Sequence, residues 1–159
     1  MMTYNPQPVS GIKRGFALII SVILTSVVLA LGAALLDIAY KQILLSSSAK
    51  NSQYAFYNTD SGLECALYWD QKFNAFSFDT PVPSGNIQCN KAAIANYVTS
   101  VSLNTRTTSF EIPCSGGGTS AVVKVYKTNT GTTDIYSNGY SSCDVSLNSR
   151  IERGLKVHY

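Results

Sequence analysis

Four cysteines, Cys65, Cys89, Cys114 and Cys143, carry the clearest chemistry in this 159-residue chain. They stand 24, 25 and 29 residues apart, whereas a structural zinc site takes ligand pairs roughly two to four residues apart. An even number of thiols beyond an apolar export segment points instead to disulfides formed outside the cytoplasm. Three pairings are open. Cys65 with Cys89 and Cys114 with Cys143 is the favoured one, because each bond then joins neighbouring elements. His158 is the only histidine, and no nucleophile and acid accompany it in a recognised set. Ser115–Thr119 holds three glycines but lacks the Lys-Ser/Thr ending of a phosphate-binding loop. Asp79, Asp134 and Asp144 do not follow a calcium-loop spacing, and no Asn-x-Ser/Thr sequon occurs. The chain is therefore read as having no catalytic residues, no metal and no cofactor. Arg150, Arg153 and Lys156 could join Tyr136, Tyr140 and Tyr159 in a basic aromatic patch for single-stranded nucleic acid. Glu152 and Asp144 interrupt the positive run, which makes an ordinary charged strand the better reading of it.

The elements that must position these residues are a long helix and a small sheet. Phe16–Leu36 is 21 residues without a charge, long enough to cross a bilayer. No proline interrupts Phe16–Trp69, and beyond Asp37 the residues Ile38, Leu45, Ala49, Phe56, Leu63 and Leu67 recur at helical intervals. Such a stripe, opposite Lys41, Lys50, Asp60 and Glu64, is expected to face the chain's own C-terminal domain. Gly32 and Gly62 read as weak points of the helix, at about 1 kcal/mol each relative to alanine. Phe73, Phe76 and Phe78 belong to a loop expected to pack onto the helix, and a short helix is expected at Lys91–Tyr97. Strands follow at Val98–Leu103 and Thr108–Pro113, then as a hairpin of Ala121–Tyr126 with Thr133–Ser137, and finally at Ile151–Tyr159. The expected fold class is α+β, a long N-terminal helix packed on a small antiparallel sheet.

The segment Lys13-Arg14-Gly15-Phe16-Ala17-Leu18-Ile19 resembles the prepilin signal of type IV pilins and pseudopilins. In that family a leader ending in Gly is cut before a Phe that becomes methylated. Ala55-Phe56-Tyr57-Asn58-Thr59-Asp60-Ser61-Gly62-Leu63-Glu64 resembles the helix of minor pilins of the PilX-like type. Counting from Phe16, the fifth position, which is Glu in major pilins, is Ile20. The resemblance implies a cytoplasmic leader at residues 1–15, a transmembrane and filament-core helix at 16–36, its amphipathic continuation at 37–69, and an exported disulfide-containing domain at 70–159. It also implies the partners: a membrane, other pilin subunits, a prepilin peptidase, and an assembly platform with its ATPase.

Composition agrees with an anchored, exported chain. Charged residues make up 13% and hydrophobic ones 45%, and a net charge of +3 excludes a strongly basic nucleic-acid binder. Lys13 and Arg14 ahead of the apolar run keep the N-terminus inside and send the C-terminus out. A generic single-pass anchor and a secretory signal cut near Ala30-Leu31-Gly32 are alternatives. The apolar region continues through Ala33–Leu36, longer than such signals need. The function expected is a non-enzymatic minor pilin or pseudopilin at a filament tip or initiation complex. The alternative is a membrane-anchored or tip-located binding protein, an adhesin or a DNA-uptake component.

Overall fold

The computed structural model describes residues 14–159, with side chains from Phe16 onward. One helix, α1, runs Arg14–Phe73. A 3-10 turn at Ser84–Asn86 leads into a two-stranded hairpin, β1 (Gln88–Cys89) and β2 (Ala92–Ala93). Five strands then form an antiparallel meander in chain order: β3 (Ala95–Val101), β4 (Thr105–Pro113), β5 (Thr119–Thr128), β6 (Thr133–Tyr140) and β7 (Glu152–His158). The chain divides into two compact units, the first ending at Leu45 and the second spanning Ser46–Tyr159. The second half of α1 thus belongs to the same unit as the sheet, and the arrangement there is α+β.

Alternation makes the strands two-faced. On β5 Ala121, Val123 and Val125 are buried, and on β6 Thr133, Ile135, Ser137 and Gly139 are. They meet Leu63 and Ala66 of α1, Phe110 and Ile112 of β4, and Phe76 and Ile87 from the intervening loop. Phe76 stacks on Phe110 with ring centres 5.7 Å apart, so this loop aromatic fills the core, while Phe73 remains in the helix and half exposed. Asn74 ends α1 in the left-handed conformation (φ 49°), its N–H donating to the Asp70 carbonyl at 2.9 Å.

The inward stripe of α1 keeps Leu63 and Leu67 of the one read in the sequence and departs from it elsewhere. Ile38, Leu45 and Phe56 are 51%, 70% and 46% exposed, and the buried positions are Ala55, Thr59, Gly62, Leu63, Ala66 and Asp70. Small residues replace large ones because two glycines let the backbones come close. A Cβ on Gly139 would overlap the Thr59 amide and the Ala55 carbonyl, and one on Gly62 would come 2.5 Å from Ser137 Oγ. Gly62 is therefore a packing requirement rather than a weak point. Polar atoms meet across this seam. The Gly139 N–H donates to Thr59 Oγ1 at 2.9 Å, and that hydroxyl lies 2.7 Å from the Arg153 carbonyl and 2.8 Å from that of Ala55. Ser137 Oγ donates to the Thr59 carbonyl at 2.7 Å, and Asn58 Nδ2 to the Tyr140 carbonyl at 2.7 Å.

The expected helix at Lys91–Tyr97 is not formed. Asn90 and Lys91 both take positive φ (54° and 64°) as the two-residue turn between β1 and β2. Asn96 (φ 48°) then marks an irregular register between Ala95 and Val98, where β3 begins. Pairing of neighbouring segments thus overrides the helical preference of the alanines. The strands read at Thr108–Pro113, Ala121–Tyr126 and Thr133–Ser137 are each longer by a few residues, the one read at Val98–Leu103 begins and ends earlier, at Ala95–Val101, and the last is trimmed to Glu152–His158.

Gly139→Ala should destabilise the unit by about 3 kcal/mol through overpacking of backbone on backbone. Thr59→Val should cost about 1–3 kcal/mol by leaving the buried Gly139 N–H without an acceptor. Urea unfolding followed by Trp69 fluorescence measures both.

Candidate functional site

Three regions could act on something outside the chain: the apolar helix, the crosslinked end of the sheet, and the sheet's outer face. In the helix, Phe16 is 68% exposed, Leu36 74% and Ile20 41%. Every residue between 16 and 36 is uncharged. The hydroxyls in this stretch bond to their own backbone. Ser21 donates to the Leu18 carbonyl (2.8 Å), Thr25 to Ser21 (2.9 Å) and Ser26 to Ile23 (2.8 Å). No polar side chain there is left without a partner, which an apolar surrounding demands. The helix is long and apolar enough to cross a membrane. Of the expected processing residues, Lys13 lies outside the described residues. Arg14 and Gly15 begin the helix, but their side chains lie outside the described residues as well. Phe16 and Ile20 sit one helical turn apart.

Both pairs of cysteines are bonded, Cys65 with Cys89 and Cys114 with Cys143. The first ties α1 to β1, where Trp69 Nε1 also donates to the Gln88 carbonyl at 2.9 Å. The second ties the end of β4 to the loop between β6 and β7. In the turn from β4 to β5, Gly117 and Gly118 take φ of 93° and 80°, and a side chain on Gly118 would strike the Cys143 carbonyl. The glycine-rich run is thus a turn closed down onto the second disulfide.

At the far end of the helix, buried Asp70 receives Lys127 Nζ on both carboxylate oxygens at 2.8 Å. Tyr159 Oη donates to the same carboxylate at 2.8 Å, and Lys127 also reaches Asn74 Oδ1 at 3.1 Å. This charge cluster joins α1, β5 and the segment after β7. Burial, then the bond to Asp70, holds the Tyr159 phenol above its ordinary value. Sequence reasoning passed over Asp70 and Lys127. The available signal was that Asp70 follows Leu63 by seven residues and so falls on the inward side of the helix.

The basic aromatic patch is split by the fold. Arg153 Nε donates to Ser52 Oγ on the helix side, and Tyr159 is taken by Asp70. Arg150 and Lys156 do sit against tyrosines, with Arg150 3.7 Å from the Tyr140 ring centre and Lys156 4.8 Å from that of Tyr136. Asp134 accepts from Lys156 at 3.0 Å and meets His158 Nδ1 at 3.0 Å, and the bond from Lys156 holds its carboxyl below the usual range. His158 is thus part of an exposed charge cluster on the outer face. Among the described residues, no three His, Cys, Asp or Glu side chains gather as a metal site. No protein-family model, no curated protein and no solved structure matches the chain.

Lys127→Met should cost about 3–5 kcal/mol, because it leaves the Asp70 carboxylate buried without its cation. The pH dependence should bear the mark of Tyr159. A phenol held high in the folded state contributes stability in full below its unfolded value of about 10, and loses it as pH rises through the folded value. Unfolding followed between pH 8 and 12 should show this decline, and Tyr159→Phe should flatten it.

Proposed function

We propose that this chain is a non-enzymatic minor pilin or pseudopilin, a subunit held in the cytoplasmic membrane by its apolar helix and then built into a type IV pilus-like filament. The observation that carries the reading is the uncharged Phe16–Leu36 stretch, which opens a 60-residue helix. The later half of that helix packs on a disulfide-bonded antiparallel sheet. The prepilin-like Lys13-Arg14-Gly15-Phe16 supports it from the sequence. Lipid solvates the exposed apolar side chains in the membrane, and neighbouring helices bury them in a filament. The transfer exchanges one apolar surrounding for another, so it costs little and can be reversed. The C-terminal domain is displayed outside, and the partners are a prepilin peptidase, other pilins and an assembly platform.

Ile20 supports a place at one end of the filament. Cleavage after Gly15 leaves an ammonium on Phe16, and burying it unpaired costs several kcal/mol. In the pilins this chain resembles, the fifth-residue carboxylate of an incoming subunit pairs with the amine of the one ahead. Ile20 offers no carboxylate, so the chain is best tolerated where nothing lies ahead of it, at the tip or in an initiating complex. Its own amine remains free to pair with a Glu-bearing subunit behind.

Intact-mass measurement of the protein recovered from its native membrane tests the reading. The expected product begins at a methylated Phe16, and Gly15→Val should block it. An uncut Met1, or a start at Ala33, would overturn the proposal. In sheared filaments the protein should be scarce and label at the ends, and even labelling along the shaft would show that Ile20 does not set its position.

The tyrosine-lined outer face of the sheet favours a second reading, a membrane-anchored or tip-located binding protein such as an adhesin or DNA-uptake component. The two differ in whether the displayed domain holds a ligand of its own.

A further inference from the structure

The outer face of the sheet carries a groove of about 570 Å³ across β4, β5 and β6, with Lys124, Tyr126, Asp134, Tyr136, Asn138 and Tyr140 among its lining. Strand alternation places these side chains opposite the buried face. Tyr126 and Tyr136 meet edge to face with ring centres 5.5 Å apart. Arg150 and Lys156 lie against Tyr140 and Tyr136. The tyrosines are thus fixed as the apolar part of a concave surface, with polar groups around them, as ligand sites require.

The charges of this face say what it would hold. Its three carboxylates are all engaged: Asp134 by Lys156 and His158, Glu152 by Asn138 Nδ2 at 2.6 Å, and Glu111 by the Thr119 hydroxyl. Of its cations, Lys156 is paired with Asp134, and Arg150 donates to the Ser142 carbonyl at 2.9 Å. Lys124 has no ion-pair or hydrogen-bond partner among the described residues, and it stands across from Tyr136 in the ladder. Three cations against three carboxylates leave the face balanced. Nucleic acid, with a phosphate on every nucleotide, draws its affinity from an excess of cations that this face lacks. A ligand with hydroxyls, apolar ring faces and sparse negative charge matches it better.

We propose that this groove binds a short oligosaccharide carrying a single uronic acid. A pyranose ring lies against Tyr126 and Tyr136, its carboxylate meets Lys124, and Asn138 and Thr105 serve its hydroxyls. The inference rests on the second functional reading and is independent of processing at Gly15. Loss of one therefore leaves the other standing.

The full chain, held in a detergent without a sugar headgroup, is titrated with xylotriose bearing one glucuronic acid by calorimetry and saturation-transfer NMR. Saturable binding is expected. Tyr136→Ala should weaken it at least tenfold, and Lys124→Met should weaken it by about tenfold while leaving the weaker binding of the sugar's methyl ester unchanged. Arg153→Gln, on the helix side, should leave affinity unaltered, and near-ultraviolet circular dichroism checks that each variant is folded. Absence of binding at millimolar sugar, binding indifferent to folded Tyr136 and Lys124 variants, or tighter binding of oligothymidylate at the same groove would each overturn the proposal.

Discussion

The close approach of helix to sheet at Thr59 and Gly139 is the constraint on which the rest of the helix–sheet unit depends. With no Cβ on Gly139, the helix settles onto β6 until the Thr59 hydroxyl takes the strand's N–H and lies against the carbonyl of Arg153 on β7. Large side chains could not occupy such a seam, and so Ala55, Thr59, Gly62 and Ala66 line it. The apolar bulk of the core is displaced towards Phe76, Phe110, Ile87 and Ile112. Hydrogen bonding, rather than apolar area, fixes how far along the helix the sheet sits. A slip by one turn would leave the Gly139 N–H and the Ser137 hydroxyl buried without partners.

Around that seam the fold is pinned by bonds of different kinds. Cys65–Cys89 fastens the outer flank of the helix to the small hairpin, Cys114–Cys143 fastens one end of the sheet, and the Asp70 cluster closes the other. A unit of this size has limited core to bury, and crosslinks at its margins compensate by restricting the unfolded chain. The outer face, relieved of a structural role, is free to carry tyrosines and charges.

Much of this was legible in the sequence, and the rest was hidden for physical reasons. The apolar run, the unbroken helix and the alternation of Val123 and Val125 with Lys124 and Tyr126 are local patterns, so they could be read directly. The inward side of the helix was legible at Leu63 and Leu67, which do meet the core, but hydrophobicity also marks Ile38, Leu45 and Phe56, whereas the seam with the sheet selects small residues that fit against glycine. Gly139 gives no sign of its partner, since Thr59 is 80 residues away. The Lys91–Tyr97 segment has helical composition, but Asn90 and Lys91 turn the chain back before a helix can start. As for the candidate sites, Ile20 and the cysteines stand out in the sequence alone. The groove becomes visible only once β5 and β6 are in register, with Tyr126 beside Asp134 and Lys124 beside Tyr136.

The strand order of the meander bears on how the unit can assemble. Each strand pairs with the one made just before it, so the sheet can grow one edge at a time with short loops to close and little chain to search. The hydrogen bonds at the Thr59 seam come from β6 and β7, the last two strands of the chain, whereas Lys127 of β5 and Gln88 of β1 hold the helix nearer its C-terminal end. Seating of the helix at Thr59 therefore requires both C-terminal strands in place, because its partners Gly139 and Arg153 lie on β6 and β7.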